Sequence, residues 1–334
     1  MNFALAALLA AGGWAGHSPV HGAPSPTRWV LVYTGGPKRP AYTVDDLLRL
    51  IAVVDTDGRP VSPLCNGVIF TEFIAVSGRF YMPAPNQQPS QGADWELYLD
   101  SLTSRTGALT RLDAAAAKLG AKISFVAMVP YPDSTEKSFS FRGKSYDLSD
   151  HVQRVAVVKS YLDDLAGKVR ALQLPNLSFH GFYWLNEGIK APDSSLVTQA
   201  TSAAHAMNLH FLWIPSYRAA GWAEWRAFGF DEAWLQPNFF FHPNVQESRI
   251  DSTVALARSA GMGMELEFDR RLFGADTAFH ERLGPYLAAF EHAADLRGRS
   301  IAIYEGAGAL IQLSRATDAA HRALYERLVK VLRP

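Results

Sequence analysis

Two acidic motifs in this sequence carry side chains that could perform acid–base or nucleophilic chemistry. The first is the segment 181–188, GFYWLNEG, where an apolar run ends in Asn186 and Glu187. Neighbouring Tyr183 and Trp184 would desolvate the Glu187 carboxyl, which raises its pKa and lets it hold a proton near neutral pH, as a general acid must. The alternative interpretation is a glutamate that caps a helix or pairs with a cation.

The second motif is the segment 261–269, GMGMELEFD. In a strand, alternation places Glu265, Glu267 and Asp269 on one face, and the methionines with Leu266 on the other. An isolated buried carboxylate is costly, so acids on an interior face must be paired or functional. The motif therefore predicts a second functional carboxyl, Glu267 or Glu265, while the methionines pack against helices.

Glycoside hydrolysis is a reaction that needs two such carboxyl groups. One protonates the leaving oxygen, and the other attacks the anomeric carbon or activates a water molecule. The carboxyls lie about 5–5.5 Å apart in retaining enzymes, and this is the separation predicted for Glu187 and Glu267. A metal-dependent barrel hydrolase would show paired histidine ligands, and a serine hydrolase a G-x-S-x-G motif; the sequence has neither.

Eight apolar segments rich in β-branched and aromatic residues must position these motifs. The predicted strands are Trp29–Tyr33, Gly67–Phe73, Lys122–Val129, Phe179–Leu185, His210–Pro215, Ala233–Pro237, Met262–Glu267 and Ile301–Tyr304. Helical spacing of apolar residues predicts helices over Leu109–Leu119, Val152–Leu172, Ala278–Ala294 and Asp318–Leu332. Eight such units in about 300 residues predict a single α/β domain, a (β/α)8 TIM barrel. A doubly wound sheet is the alternative, but no glycine-rich phosphate turn follows the first strand.

Residues at the predicted strand ends share one face of this barrel, where active sites form. The segments Ser77–Ala93 and Tyr131–Asp147 are predicted to be extended loops on that face, after strands 2 and 3. Amides and phenols bond hydroxyl groups and aromatic faces stack on sugar rings, so the strand ends predict a sugar-binding groove. Its candidate residues are Asn186, Tyr183, Trp184, Trp213, Tyr217, Gln236, Asn238, His242, Tyr304, Glu305, Tyr33 and Glu72. For any single aromatic residue, packing in the core is the alternative.

The Asn-Glu pair of strand 4 and the glutamate of strand 7 resemble the signature of the large barrel superfamily of retaining glycoside hydrolases. This resemblance implies that Glu187 is the acid/base, that Asn186 contacts the sugar 2-hydroxyl, and that Glu267 is the nucleophile, with Glu265 as the alternative. The segments 31–35 (LVYTG), 213–217 (WIPSY), 236–240 (QPNFF) and 263–269 (GMELEFD) are similar to a bacterial family catalogued as domain of unknown function 4855. That similarity implies a secreted barrel of the glycoside hydrolase type.

Composition and charge limit the partners of the chain. Among its 334 residues, 48% are apolar, and 32 basic residues balance 32 acidic ones. Because there is no basic stripe and no run of like charges, neither a nucleic acid nor an anionic membrane has electrostatic support as a partner. A carbohydrate is the predicted partner, and no metal or cofactor is required. The single cysteine, Cys65, is predicted to be a buried thiol.

Residues 1–23 are predicted to be a secretory leader, and residues 24–334 the barrel domain. The apolar stretch 3–13, FALAALLAAGG, precedes a small-residue site that would be cleaved after Ala23, although no Lys or Arg precedes the stretch. A misassigned start or a membrane-tethered N-terminus is the alternative. We expect a secreted or periplasmic monomer without an integral membrane segment in the mature chain. The rival function is a non-catalytic carbohydrate-binding barrel of the cell wall or surface.

Overall fold

The chain folds around a closed barrel of eight parallel strands, which confirms the predicted (β/α)8 architecture. This computed structural model describes residues 27–37, 39, 41–55, 57–306 and 308–333. The predicted leader, residues 1–23, lies outside the described residues. Among the described residues, no helix combines the length and the apolar character needed to cross a bilayer.

The barrel strands follow one another around the barrel in sequence order. They are β1 Arg28–Tyr33, β2 Gly67–Thr71, β3 Ile123–Val129, β4 Leu177–Trp184, β5 His210–Trp213, β6 Glu232–Leu235, β7 Gly263–Glu267 and β8 Ile301–Tyr304. Pairing of β8 with β1 closes the barrel. Every predicted strand is present, and the differences are confined to the strand ends, where pairing stops at the loops.

Helices cover the outside of the barrel and join its strands. They are α1 Val44–Ile51, α2 Gly92–Leu102, α3 Ala108–Leu119, α4 His151–Leu172, α5 Ser194–Ala206, α6 Ser248–Ala260, α7 Leu283–His292, α8 Ala294–Arg297, α9 Ala309–Ser314 and α10 Ala319–Leu332. Side-chain caps fix several of their first turns, since the first N–H groups of a helix have no partner within it. Thr43 forms a capping box with Asp46 at α1, and Asp150 and Asp318 cap α4 and α10.

One predicted helix, Ala278–Ala294, begins later than expected. The chain forms a single 3-10 turn over Thr277–Phe279 and enters α7 only at Leu283. Pro285 lacks an N–H donor and is tolerated only in the first turn of a helix, so α7 begins two residues before it. The remaining predicted helices agree with the structure to within one residue at each end.

The two predicted long loops are folded against the barrel. The loop after β3 contains a hairpin of Phe139–Phe141 and Lys144–Tyr146, whose phenylalanines pack on Trp95 of α2. The loop after β2 makes isolated bridges that join Phe80 to Ile74 and to Pro89. A further hairpin, Ala52–Val54 with Pro60–Pro63, follows α1.

Strand side chains alternate between the barrel interior and the helices. Residues paired in neighbouring parallel strands lie on the same side, and the pairings of Ala302 with Trp29 and with Glu265 place all three inside. Trp234, paired with Gly263, shares this interior and lies 6.4 Å from Trp29 between ring centroids. Both tryptophans are fully buried and fill the base of the barrel.

A bulge in β4 sets which of its side chains face inward. Phe125 pairs with Phe179 and Val126 with Gly181, so His180 is an extra residue in β4. This insertion reverses the alternation, and Tyr183 therefore faces the interior. Gly181 has a φ of +148°, and a Cβ there would lie 2.0 Å from the backbone oxygen of His210, so the bulge requires glycine.

The seam between the first strand and the last helix is held by one arginine. The guanidinium of Arg28 donates to the backbone oxygens of Leu332, Arg299 and Arg297, at 3.1, 2.8 and 2.8 Å. Arg28 is buried, and its three acceptors lie at the end of α10 and ahead of β8. This side chain therefore links the first strand to the C-terminal part of the chain, on the face of the barrel that carries the strand N-termini.

Candidate active site

A cavity of about 220 Å³ opens at the C-terminal ends of the strands. Its walls are Leu31, Tyr33, Phe73, Tyr183, Glu187, Gln236, Asn238, Phe241, Glu265 and Tyr304. Seven of the residues predicted from the sequence are therefore brought together here. A larger cavity, about 530 Å³, lies beside α10 and Arg297, on the opposite face of the barrel. Because barrel active sites form at the C-terminal ends of strands, the smaller cavity is the candidate site.

Glu187 follows β4 and reaches the cavity from its rim. Its carboxylate accepts a hydrogen bond from the hydroxyl of Ser216, and the backbone N–H of Ser216 donates to the Glu187 carbonyl at 3.2 Å. Burial raises the pKa of Glu187, while the hydrogen bonds from Ser216 and Gln236 act in the opposite direction. Burial therefore lets this carboxyl keep its proton to a higher pH than an exposed glutamate does.

Glu265 lies in the middle of β7 and faces the cavity from below. It is only 3% exposed, and its carboxyl has no hydrogen-bond donor among the described residues. Burial, followed by the charges of Glu267 and Glu187, raises its pKa well above the ordinary range. A buried carboxyl without a protein partner is costly. Its free oxygens therefore mark the part of the wall that a ligand would meet.

Glu267 ends β7 and is not among the residues that line the cavity. It is fully buried, and it accepts hydrogen bonds from the hydroxyl of Tyr286 on α7 and, at 3.2 Å, from the backbone N–H of Asn238. Burial raises the pKa of Glu267 to about 8, although these donors lower it and the charge of Glu187 raises it further. Its pairing with Tyr304 places Glu267 on the same inward face as Glu265, and the sequence-based choice of Glu267 as nucleophile stays a prediction.

None of these three glutamates forms an ion pair with a cation among the described residues. The nearby arginines are engaged elsewhere: Arg39 with Glu72 at 2.7 Å, and Arg271 with Asp269 at 2.7 Å. Buried neighbouring carboxyls raise one another's pKa, because each negative charge disfavours the next.

Aromatic rings and amides complete the walls. The hydroxyls of Tyr33, Tyr183 and Tyr304 make no hydrogen bond within the described part of the chain, although Tyr33 and Tyr183 are only 2% and 3% exposed. Gln236 and Asn238 are joined by a 2.7 Å hydrogen bond between their side chains. These groups present phenol hydroxyls, amide edges and ring faces to one small space.

Two tryptophans predicted at the site lie on the other side of the sheet. Trp184 follows the inward-facing Tyr183, and Trp213 pairs with Trp184, so both indoles point toward the helices. Each is fully buried, and Trp213 stacks on Phe230 with ring centroids 5.1 Å apart. Their prediction as binding residues is corrected by strand alternation, which cannot place adjacent residues on one face.

Two predicted acids have structural partners instead of facing the cavity. Glu72 is 1% exposed and forms its ion pair with Arg39. Glu305 is fully buried and accepts hydrogen bonds from the backbone N–H groups of Gly308 and Leu310 at the start of α9. Both carboxylates are satisfied, which removes them from the set of candidate catalytic acids.

Three further predicted residues also lie outside the cavity walls. The amide of Asn186 donates to the Gly188 carbonyl at 2.8 Å, which organises the turn after β4. His242 is exposed, and Tyr217 is half-buried beneath the guanidinium of Arg249, 4.0 Å from the ring centroid. These three residues are therefore not part of the cavity lining, although they follow the strands that form it.

Tyr286 and Ser216 contact the acids but were not predicted. Tyr286 belongs to a helix, and its position in an amphipathic pattern indicates only burial. Ser216 follows Pro215 in the loop after β5, where no pattern singles it out. Within the described residues, no group of three or more His, Cys, Asp or Glu side chains is arranged to hold a metal ion.

Solved structures share this barrel at low sequence identity. A xylanase-alpha-amylase inhibitor protein in complex with trehalose is 10% identical, with a TM-score of 0.52 over 92% of this chain and 99% of that one. A second such inhibitor, from Scadoxus multiflorus, is 12% identical, with a TM-score of 0.53 over 91% and 98%. A GH113 β-1,4-mannanase is 9% identical, with a TM-score of 0.46 over 91% and 98%. The likeness to the two inhibitor proteins, with TM-scores above 0.5, shows the fold alone.

A family model described as "Domain of unknown function (DUF4855)" matches residues 28–330. The match covers the whole barrel, from β1 to the last helix. No curated protein matches the sequence.

Proposed function

The chain belongs to the DUF4855 family, and from its site we propose that it hydrolyses O-glycosidic bonds in a poly- or oligosaccharide. One observation carries this proposal: Glu187 and Glu265 line the same small, aromatic-walled cavity at the mouth of the barrel. Glycoside hydrolysis needs two carboxyl groups on either side of the scissile bond. Burial raises the pKa of both glutamates, so each keeps a proton to a higher pH than an exposed glutamate does.

In the proposed reaction, Glu187 is the general acid. It gives its proton to the leaving glycosidic oxygen while the bond between that oxygen and the anomeric carbon breaks. Glu265 is the nucleophile, and its carboxylate forms an ester bond to the anomeric carbon. Glu187, now a carboxylate, takes a proton from water as the water oxygen displaces Glu265, which restores both groups. Retention of configuration follows from these two displacements and stays a prediction.

Glu267 is a positioning residue in this scheme. It lies two residues after Glu265, and the charge of Glu267 raises the pKa of Glu265. Its donors, Tyr286 and the backbone of Asn238, favour the ionised form of Glu267. With its pKa raised in this way, Glu265 must release its proton to bulk water before its carboxylate can attack.

A screen of the purified protein against bacterial and plant polysaccharides, with new reducing ends as the readout, tests the proposal. On the glycan that is cleaved, we expect Glu187→Gln and Glu265→Gln to lower kcat by about 10²–10⁴-fold, the usual contribution of a catalytic proton donor or more. The exposed Glu281→Gln is the matched control and should keep full turnover.

Two results would count against this assignment. If Glu267→Gln abolishes turnover while Glu265→Gln retains it, Glu267 is the nucleophile. If no glycan is cleaved but some bind, the rival function, a non-catalytic carbohydrate-binding barrel, takes the place of the hydrolase.

A further inference from the structure

We infer that the cavity accepts a sugar carrying a protonated amine in place of a hydroxyl, that is, a hexosamine whose nitrogen is not acetylated. This assignment of a substrate class rests on the proposed function and extends it. It follows from three features of the walls: the number of acids, the absence of a counter-cation among the described residues, and the aromatic faces.

The acids exceed what hydrolysis requires. Two carboxyls are enough for the reaction, yet Glu187, Glu265 and Glu267 lie within range of one another's charge. No Lys or Arg lines the cavity, and the three glutamates form no ion pair within the described residues. The missing positive charge must come from bound protons or from a ligand, because unpaired buried carboxylates are costly.

The cavity also has the walls of a cation site. Rings of Tyr183, Tyr304 and Phe73 line the space beside the two lining glutamates. Tyr33 and Phe241 line it too, but an arginine guanidinium already lies over each of their rings, Arg39 at 4.7 Å and Arg271 at 5.5 Å from the centroid. The electron-rich faces of such rings attract an ammonium group, and enclosed aromatic sites are a recurrent way to bind one. The unpartnered carboxyl of Glu265 and the hydroxyls of Tyr33 and Tyr183 supply acceptors for its N–H groups.

Other sugar classes fit these walls less well. A uronic acid or a sulfated sugar would bring a negative charge beside Glu187 and Glu265 without a cation to meet it. A neutral sugar could bind, but it brings no positive charge, so the carboxyls would have to hold protons to avoid unpaired buried charges. An ammonium group displaces those protons, so its binding should release protons and strengthen as pH rises.

Binding of nine monosaccharides tests the inference: glucosamine, galactosamine and mannosamine, each with its N-acetyl and its hydroxyl counterpart. Isothermal titration calorimetry with the full chain gives the Kd, and parallel titrations in two buffers of different ionisation enthalpy count the protons released. We expect at least one amine form to bind about tenfold more tightly than its two counterparts, the size of one desolvated ammonium–aromatic contact. Its affinity should fall from about pH 7 to about pH 5 as the carboxyls take up protons, while neutral sugars stay unchanged.

Variants that remove one carboxylate test whether the preference for the amine sugar comes from charge or from the shape of the cavity. Glu267→Gln removes the carboxyl next to Glu265 without changing a residue that lines the cavity, so it should reduce the preference for the amine form over its neutral counterparts about tenfold. Glu281→Gln, on the surface, is the control. If Glu267→Gln does not fold, as judged by its thermal unfolding, Glu265→Gln takes its place; because Glu265 lines the cavity, its readout is only the ratio of affinities between each amine sugar and its two counterparts.

The outcomes distinguish this inference from the proposed function. Cleavage of a neutral glycan with no preference for any amine sugar would overturn the substrate class and leave the hydrolase standing. Selective binding of an amine sugar, with no cleavage of any glycan that contains it, would support the cation site and overturn the hydrolase. Absence of binding by all nine sugars would overturn the substrate class.

Discussion

Donors around each glutamate determine what its carboxyl can do. Glu187 accepts a hydrogen bond from Ser216, Glu267 accepts from Tyr286, and Glu265 has no donor among the described residues. Donors hold a carboxylate in its charged form and fix its orientation. The acid without donors is the one left to interact with a bound molecule, and this difference separates two residues that the sequence presents alike.

At the same scale, removal of the Tyr286 hydroxyl should change the pH dependence of catalysis. That hydroxyl lowers the pKa of Glu267, so Tyr286→Phe raises it, and the Glu265–Glu267 pair keeps its protons to higher pH. We expect the acidic limb of kcat/KM to move up by about one pH unit, the size of a hydrogen bond to a charged group. A pH–rate profile on the cleaved glycan measures the shift.

Tyr98→Phe is the matched control for that profile. Tyr98 is a buried tyrosine whose hydroxyl has no partner among the described residues, and it does not line the cavity. Its variant should keep the wild-type acidic limb. An unmoved limb in Tyr286→Phe as well would mean that the Glu265–Glu267 pair does not control activity.

Strand alternation in the sequence was enough to predict which residues of β7 face inward. It could not predict the role of a residue when a hydrogen-bond or ion-pair partner decides that role. The pattern of β7 identified the inward face that carries Glu265 and Glu267. The same alternation, applied to β4, excludes Tyr183 and Trp184 from sharing a face. Glu72 and Glu305 could not be assigned from sequence, because an arginine 33 residues away and a helix start decide their roles.

At the scale of elements, strands and helices were predictable because their hydrophobic patterns are long and regular. The bulge in β4 was not, since His180 and Gly181 look like ordinary strand residues in the sequence. Its effect is large: one extra residue decides which side chains between Phe179 and Trp184 reach the cavity. The bulge therefore determines which residues of β4 line the site.

Gly181→Ala tests the importance of the bulge. Its Cβ would lie 2.0 Å from the His210 carbonyl oxygen at a φ of +148°, so the strand pair must separate. We expect a loss of about 3 kcal/mol or more in the free energy of unfolding. Gly167→Ala, within α4 where a Cβ meets nothing within 4 Å, should instead stabilise by about 0.5–1 kcal/mol. Urea denaturation measures both, and equal midpoints for the two variants would contradict this account.

At the scale of the whole molecule, closure of the barrel depends on contacts between distant parts of the chain. Arg28 donates to three backbone oxygens near the C-terminal end, and its planar guanidinium reaches all of them at once. Arg28→Lys keeps the charge but cannot form the same set of hydrogen bonds. We expect it to lower the free energy of unfolding by about 2–4 kcal/mol.

Chemical denaturation of Arg28→Lys beside Arg59→Lys checks this expectation. Arg59 pairs with Asp57 on the surface, at 3.2 Å, and both side chains are more than half exposed. Its replacement should change stability by less than about 0.5 kcal/mol. A similarly small change for Arg28→Lys would show that the seam does not limit stability.

The tryptophans at the base of the barrel also limit how a ligand can enter and leave the cavity. Trp29 and Trp234 are fully buried and fill the base of the barrel below Glu265. If the proposed hydrolysis takes place, the cleaved sugar should therefore leave by the opening at the strand C-termini through which its parent entered. The product of such a reaction should therefore act as a competitive inhibitor. Release of the product through this same opening should limit turnover.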